Sequence, residues 1–245
     1  LRFTLPMIIG SLLQQCYNIA DTLIVGQCIG SGALAAVGSA YTLMVFLISI
    51  LLGLSMGSGT VFSLQYGAGR MKALRRSIYV SAVLIGTVTI VLNIAALSFI
   101  HPILKLLQIP DDIYQMMYDY LWIIFWGIGF TFIYNFYAAL LRAIGNAVTP
   151  LYFLAISVVL NIGLDLFFIL LLDWGIKGAA IATIIAQGVS ALGIMGYTYA
   201  KCPELRLHRN DLHFDRHCLK EITSFSTLTC IQQSVMNLGI LMVQG

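Results

Sequence analysis

Long apolar stretches separated by short polar breaks dominate the chain. Residues 22–69 carry no charged side chain, and further charge-free stretches run 77–104, 120–141, 143–164, 178–200 and 222–245. About 20 apolar residues in a helix cross the roughly 30 Å hydrocarbon core of a bilayer, so each later stretch is one crossing. The first is too long for one, and the cluster Gly26, Gly30, Ser31 and Gly32 divides it. The pattern predicts membrane helices near 5–29, 35–66, 77–104, 118–141, 149–172, 178–200 and 222–245. Thr149 and Pro150 read as N-cap and first position of the fifth. Pro102 and Pro110 read as terminators at the outer end of the third. The expected fold class is all-α integral membrane: six transmembrane helices over 1–200, a connecting segment over 201–221 and a seventh helix over 222–245.

Composition sharpens this reading. Hydrophobic residues make up 60% of the 245 and charged residues 9%, with a mean hydropathy of +0.93. A soluble domain carries about 25% charged residues, so the bilayer is the solvent that fits. The net charge of +3 does not point to nucleic acid, because the basic residues sit in short clusters between apolar runs. Cys16, Cys28, Cys202, Cys218 and Cys230 form no CxxC pair, and neither a disulfide framework nor a metal site is indicated. The chain starts at Leu1 and is read as lacking residues upstream.

Basic residues keep to the cytoplasmic side of membrane proteins. Alternate connections hold Arg70, Lys72, Arg75 and Arg76, then Arg142, then Lys201, Arg206, Arg209, Arg216 and Lys220, which with Arg2 makes 11 of the 13 basic residues. The opposite set holds Lys105 and Lys177. The expectation is a multi-pass protein of the inner (cytoplasmic) membrane, N-terminus in the cytoplasm, with Asp111, Asp112 and Asp173 outside. Tyr118, Tyr120, Trp122, Trp126 and Trp174 read as an interfacial aromatic belt on that outer side. A shift of 219 residues lays Thr4 on Thr223, Gln14 on Gln233, Asn18 on Asn237 and Gly26 on Gly245. Six-helix parallel repeats are a known transporter plan, so a second half is expected to begin near 222.

Of the ten acidic residues, only Asp21 and Asp165 lie inside apolar spans. A carboxylate in hydrocarbon costs several kcal/mol unless it faces a cavity or a partner, which makes both functional candidates. Gln14, Asn18 and Asp21 fall at i, i+4 and i+7 on one stripe of the first helix, with Tyr17 one turn before Asp21. Asn161 and Asp165 repeat the i, i+4 relation on the fifth helix. A rise of ~1.5 Å per residue puts Asp21 about 24 Å from Leu5 and Asp165 about 22 Å from Pro150, with Thr183 about 8 Å below the outer surface. All three reach one depth.

The runs Pro6 to Gly26 (PMIIGSLLQQCYNIADTLIVG), Leu141 to Pro150 (LRAIGNAVTP), Asn161 to Asp165 (NIGLD) and Gly175 to Thr183 (GIKGAAIAT) resemble the multidrug and toxic compound extrusion family. Asn161, Asp165 and Thr183 are most similar to its prokaryotic branch of DNA-damage-inducible type. The resemblance implies half of a twelve-helix, two-lobe antiporter that exchanges organic cations or other toxic compounds for H+ or Na+. It implies a cation or proton site at Asp21, Asn161, Asp165 and Thr183, where Na+ binds transiently if at all. Gln14 and Tyr17 are implied to lie beside that site, with Asn18 on the same stripe, and Asn135 is a further candidate for the pocket. No cofactor is expected beyond the coupling ion. Partners are small, cationic amphiphilic molecules, membrane lipid and a second lobe. An alternative is a flippase for lipid-linked oligosaccharides, a related bundle, but its cavity needs basic residues within the spans to hold pyrophosphate, and none is seen. No HExxH or GxSxG pattern supports a membrane enzyme.

Overall fold

The computed structural model describes residues 4–106, 109–208, 211, 213 and 215–244. Arg2, Arg209 and Gly245, named above, lie outside the described residues. The helices are α1 (Thr4–Cys28), α2 (Ser31–Gly67), α3 (Met71–Ser98), α4 (Ile100–Leu106), α5 (Asp111–Ala143), α6 (Val148–Leu166), α7 (Gly175–Lys201) and α8 (Arg216–Gln244). A π-helical stretch, Phe167–Leu171, extends α6, and a 3-10 turn, Pro203–Leu205, follows α7. Short connections make sequence neighbours antiparallel. The α1–α2 and α5–α6 turns depend on Gly30 (φ 120°) and Gly145 (φ 88°), conformations that side-chain-bearing residues avoid.

Helix starts shift by up to seven residues from the sequence reading, α5 beginning at Asp111 rather than near 118 and α3 and α8 each six residues early, and two further differences have a local cause. The helix expected over 77–104 breaks at Phe99 into α3 and α4. The physical reason is Pro102, whose ring clashes with the carbonyl four residues earlier, at Ser98, where α3 stops. The cap expected at Thr149 is supplied by Asn146, whose Oδ1 accepts the Thr149 N–H at 3.1 Å, and α6 begins at Val148. Pro150 falls in the first turn, where its missing N–H leaves no bond unmade.

Among the described residues five helices, counting α6 with its extension, are long and apolar enough to cross a membrane: Ser31–Gly67, Met71–Ser98, Asp111–Ala143, Val148–Leu171 and Gly175–Lys201. Helices α1 and α8 have the length, at 25 and 29 residues, but carry polar residues that dilute their apolar runs.

Helix α2 is central, packing most extensively on α8 and α5, while α5 packs on α7 and α6 bridges α1 and α7. The interior is filled by Phe62, Phe125, Leu51, Leu121 and Leu140, with Phe62 meeting Phe136 edge-on at 6.0 Å. Large apolar side chains also cover the outside, among them Val159 and Leu171 at 73% and 74% exposed. An apolar surface of this extent suits lipid rather than water. Trp122 and Trp126 are exposed and meet edge-on at 6.0 Å. Tyr120 does not join them: it is buried, and the belt assignment is corrected there. Met117, Leu121, Ile124 and Phe125 are its buried neighbours at helical spacing, so the phase of α5 turns Tyr120 inward.

A candidate cation and proton site

Four side chains from three helices meet inside the bundle. Asp21 of α1, Asn161 and Asp165 of α6 and Thr183 of α7 are all buried, Asn161 and Asp165 completely. Thr183 is the junction: its hydroxyl donates to the Ala179 carbonyl at 3.0 Å and accepts from Asn161 Nδ2 and Tyr17 Oη, each at 3.4 Å. Back-bonding one turn down the helix fixes the hydroxyl, so its lone pairs face α1 and α6.

The cluster is short of donors. Asp21 Oδ1, Asn161 Oδ1 and both carboxyl oxygens of Asp165 are buried and receive no N–H or O–H. The Asp21 and Asp165 carboxyls are close enough to interact across the contact of α1 with α6. Acceptor oxygens in excess of donors, in a low dielectric, call for a positive charge. A proton shared between the acids meets that need, as does a small hard cation ringed by oxygens. Tyr120 of α5 is buried and within electrostatic reach of Asp21, Tyr17 and Asp165.

Local structure holds these groups in register. Asn161 and Asp165 are one turn apart on α6, and the π-helical stretch begins two residues after Asp165. Single widened turns of this kind recur at functional sites. Within the stretch Phe168 stacks on Trp174, with centroids 5.0 Å apart and planes 3° from parallel. A Cβ on Gly178 would lie 3.0 Å from Phe168 Cβ, so the start of α7 sits hard against the end of α6.

The other predicted pocket residues are placed differently. Tyr17 joins the cluster through Thr183. Asn18 is half-buried and bonds to Gln15 at 3.4 Å, while Gln14 is exposed. Asn135 donates to the Thr131 carbonyl of its own helix at 2.8 Å and makes no hydrogen bond to the cluster. The burial of Tyr120 was missed because tyrosine beside an acid at a helix end also suits a membrane interface. The signal that could have found it is its place on the Met117–Leu121–Ile124 stripe.

The MatE family profile matches residues 6–167, well over half of the chain. The chain belongs to the MatE family. That range contains Asp21, Asn161 and Asp165. The chain is 36% identical over 190 residues to the probable multidrug resistance protein YpnP of Bacillus subtilis, a match covering 78% of this chain and 43% of that protein. It is 28% identical to the probable multidrug resistance protein NorM of Thermotoga maritima over 99% of this chain and 53% of that one. The fold superposes on the outward-facing conformation of a multidrug resistance MATE family transporter of the MOP superfamily, with a TM-score of 0.89 and 24% identity, over 98% of this chain and 53% of that structure. The chain thus spans about half the length of the relatives it matches, as expected of an N-terminal half. Members of the family are transporters rather than enzymes, and the flippase alternative is not favoured.

Proposed function

We propose that the complete protein is a secondary active multidrug efflux antiporter of the inner membrane, exporting cationic amphiphilic compounds in exchange for H+ or Na+. Residues 1–200 form its first lobe, 201–221 the inter-lobe linker, and 222–245 the opening helix of the second lobe. The coupling ion binds at Asp21, Asn161, Asp165 and Thr183, with Tyr17 and Tyr120 as the wall of the site. The observation that carries this reading is the set of four buried acceptor oxygens without donors.

The arrangement couples ion and conformation through α1. Asp21 belongs to α1 and the remaining oxygens to α6 and α7, which pack on each other. A proton or Na+ draws Asp21 onto Asp165; without it the two carboxylates repel, and α1 is pushed off α6. Protons and Na+ compete for the same oxygens, so either gradient can load the site. Loading shifts α1 between two positions, and the cleft follows. Export closes the cycle when the ion leaves on the cytoplasmic side.

The test is the full-length protein in proteoliposomes with an imposed H+ or Na+ gradient. Asp165→Asn and Asp21→Asn should each lower gradient-driven export at least about tenfold, while substrate binding stays within about twofold of wild type. If the doubly substituted protein exports against a gradient at the normal rate, the acids are structural and the mechanism is wrong.

A further inference from the structure

Polar side chains continue from the cation site towards one end of the bundle and give way to apolar ones towards the other. Gln187 lies one turn beyond Thr183 on α7, about 6 Å further along and on the same face. Its Oε1 accepts the Thr131 hydroxyl of α5 at 3.1 Å. Asn135, one turn on along α5, donates to the Thr131 carbonyl at 2.8 Å. On α6, Ser157 is buried one turn from Asn161, and the bond of Asn161 to Thr183 sets it level with Gln187 on the antiparallel α7. Gln187, Thr131 and Asn135 are each half-buried. These groups lead to the end where α5 and α7 finish, at Arg142 and Lys201, the end expected to face the cytoplasm.

The other direction is closed by apolar side chains. Val25 follows Asp21 by one turn on α1, Phe168 and Ile169 follow Asp165, Ile176 precedes Thr183 by two turns, and Met117 precedes Tyr120; all five are buried. Helices α5 and α7 stand close beside Gln187: a Cβ on Gly127 would lie 2.9 Å from Ile184 Cγ1 and 3.6 Å from Gln187 Oε1. The glycine leaves the room that the amide occupies. The polar stripe on α1 also runs towards the cytoplasmic end, but Asn18 bonds within its own helix, to Gln15, and Gln14 is exposed.

A cation or a proton crosses an apolar interior only where polar atoms or ordered water replace its hydration. An amide or a hydroxyl carries donor and acceptor in one group, so Gln187 and Thr131 can hold a passing cation by oxygen or order the water that carries a proton. We propose that Gln187, Thr131 and Asn135 line the route by which the coupling ion leaves the Asp21 and Asp165 site for the cytoplasm. This rests on the antiporter reading above, which requires such an exit without saying where it runs. These side chains act once the site gives up its ion and are separate from the oxygens that hold it.

The full-length protein in proteoliposomes separates an ion route from a substrate contact, with radiolabelled ethidium, a cationic amphiphile, as the probe. Net export driven by an H+ or Na+ gradient needs the ion to leave the site in every cycle. Exchange of internal for external ethidium at equal pH and equal Na+ does not. Gln187→Leu and Thr131→Val should each lower gradient-driven export at least about fivefold and leave exchange within about twofold of wild type. Thr131→Ser, which keeps the hydroxyl, should export within about twofold of wild type. Exchange that falls together with export in both Gln187→Leu and Thr131→Val would assign these side chains to substrate or to packing, and overturns the route. Unchanged export in the doubly substituted protein overturns it as well. A wild type that exchanges ethidium but answers to neither gradient would instead sink the antiporter reading, and the route with it.

Discussion

At Asp165 both carboxyl oxygens are buried and no N–H or O–H reaches them, so a charge there must be met by a proton or a metal ion. If Na+ fills that role, it stabilises the folded protein by mass action, by about 2.7 kcal/mol at a hundredfold excess over its dissociation constant. Thermal melting in NaCl against choline chloride should show an upward shift in the wild type and none in Asp165→Asn. The acids were legible because a charge in an apolar run stands out and its cost demands a use. Tyr17→Phe should cost only about 0.5–1.5 kcal/mol, one hydrogen bond. Thr183→Val should cost more, because it leaves both Tyr17 and Asn161 without their shared partner. Comparing the two melting midpoints checks that order. Gln14, placed beside the site by the resemblance and on the Asp21 stripe by its spacing, is exposed. A stripe fixes the phase of a helix but not which turns meet a neighbour, and Leu5, Ile8 and Leu12 show that the first turns of α1 stand exposed.

Among the elements, the seven long helices were legible from charge-free length, while the α3–α4 break was not. Pro102 was noticed, but its effect falls four residues earlier, on the Ser98 carbonyl. Helix partners were also hidden: nothing in the spacing of Gly53 and Gly57 says which helix meets them. Gly57→Ala should destabilise by about 1–3 kcal/mol, since the added methyl overlaps the Ser226 backbone. Gly129→Ala on α5 meets nothing within 4 Å and should be neutral or stabilising by up to about 1 kcal/mol. Melting of the two variants side by side separates a crossing glycine from an idle one. Two ion pairs, Arg75 with Asp211 at 2.9 Å and Arg76 with Asp215 at 3.1 Å, give a pH dependence. Partial burial works to raise the Asp211 pKa, but the His208 N–H and the Arg75 guanidinium outweigh it, and the group stays below the usual carboxylate range. Asp215 is held down by the His217 N–H and Arg76. A carboxylate depressed in the fold contributes stability that is complete above the ordinary pKa of about 3.9 and is lost as pH falls through the folded value. Hydrogen-exchange protection at residues 205–206 and 216–219, corrected for intrinsic rates, should hold at pH 6 and fall below about pH 4.

For the whole molecule the question is which end faces the cytoplasm. The antiparallel order puts Arg70, Lys72, Arg75, Arg76, Arg142, Lys201, Arg206, Arg216 and Lys220 at one end of the bundle. The contact of Arg75 with Asp211 ties the start of α3 to the connector after α7 at that end. Lys177 pairs with Asp119 at 3.2 Å, which brings the start of α7 beside the start of α5 at the opposite end. Two ends that differ so strongly in Lys and Arg should insert with the basic one inside, because basic loops resist translocation. Acidic residues sit at both ends and set little. Single cysteines at Met71 and Asp112, in the full-length protein in intact cells, should therefore differ in reach. An impermeant maleimide should label Asp112→Cys at once, and Met71→Cys only after the membrane is opened. Labelling of Met71→Cys from outside would invert the protein, and it would also send the coupling ion into Asp21 and Asp165 from the wrong side for export.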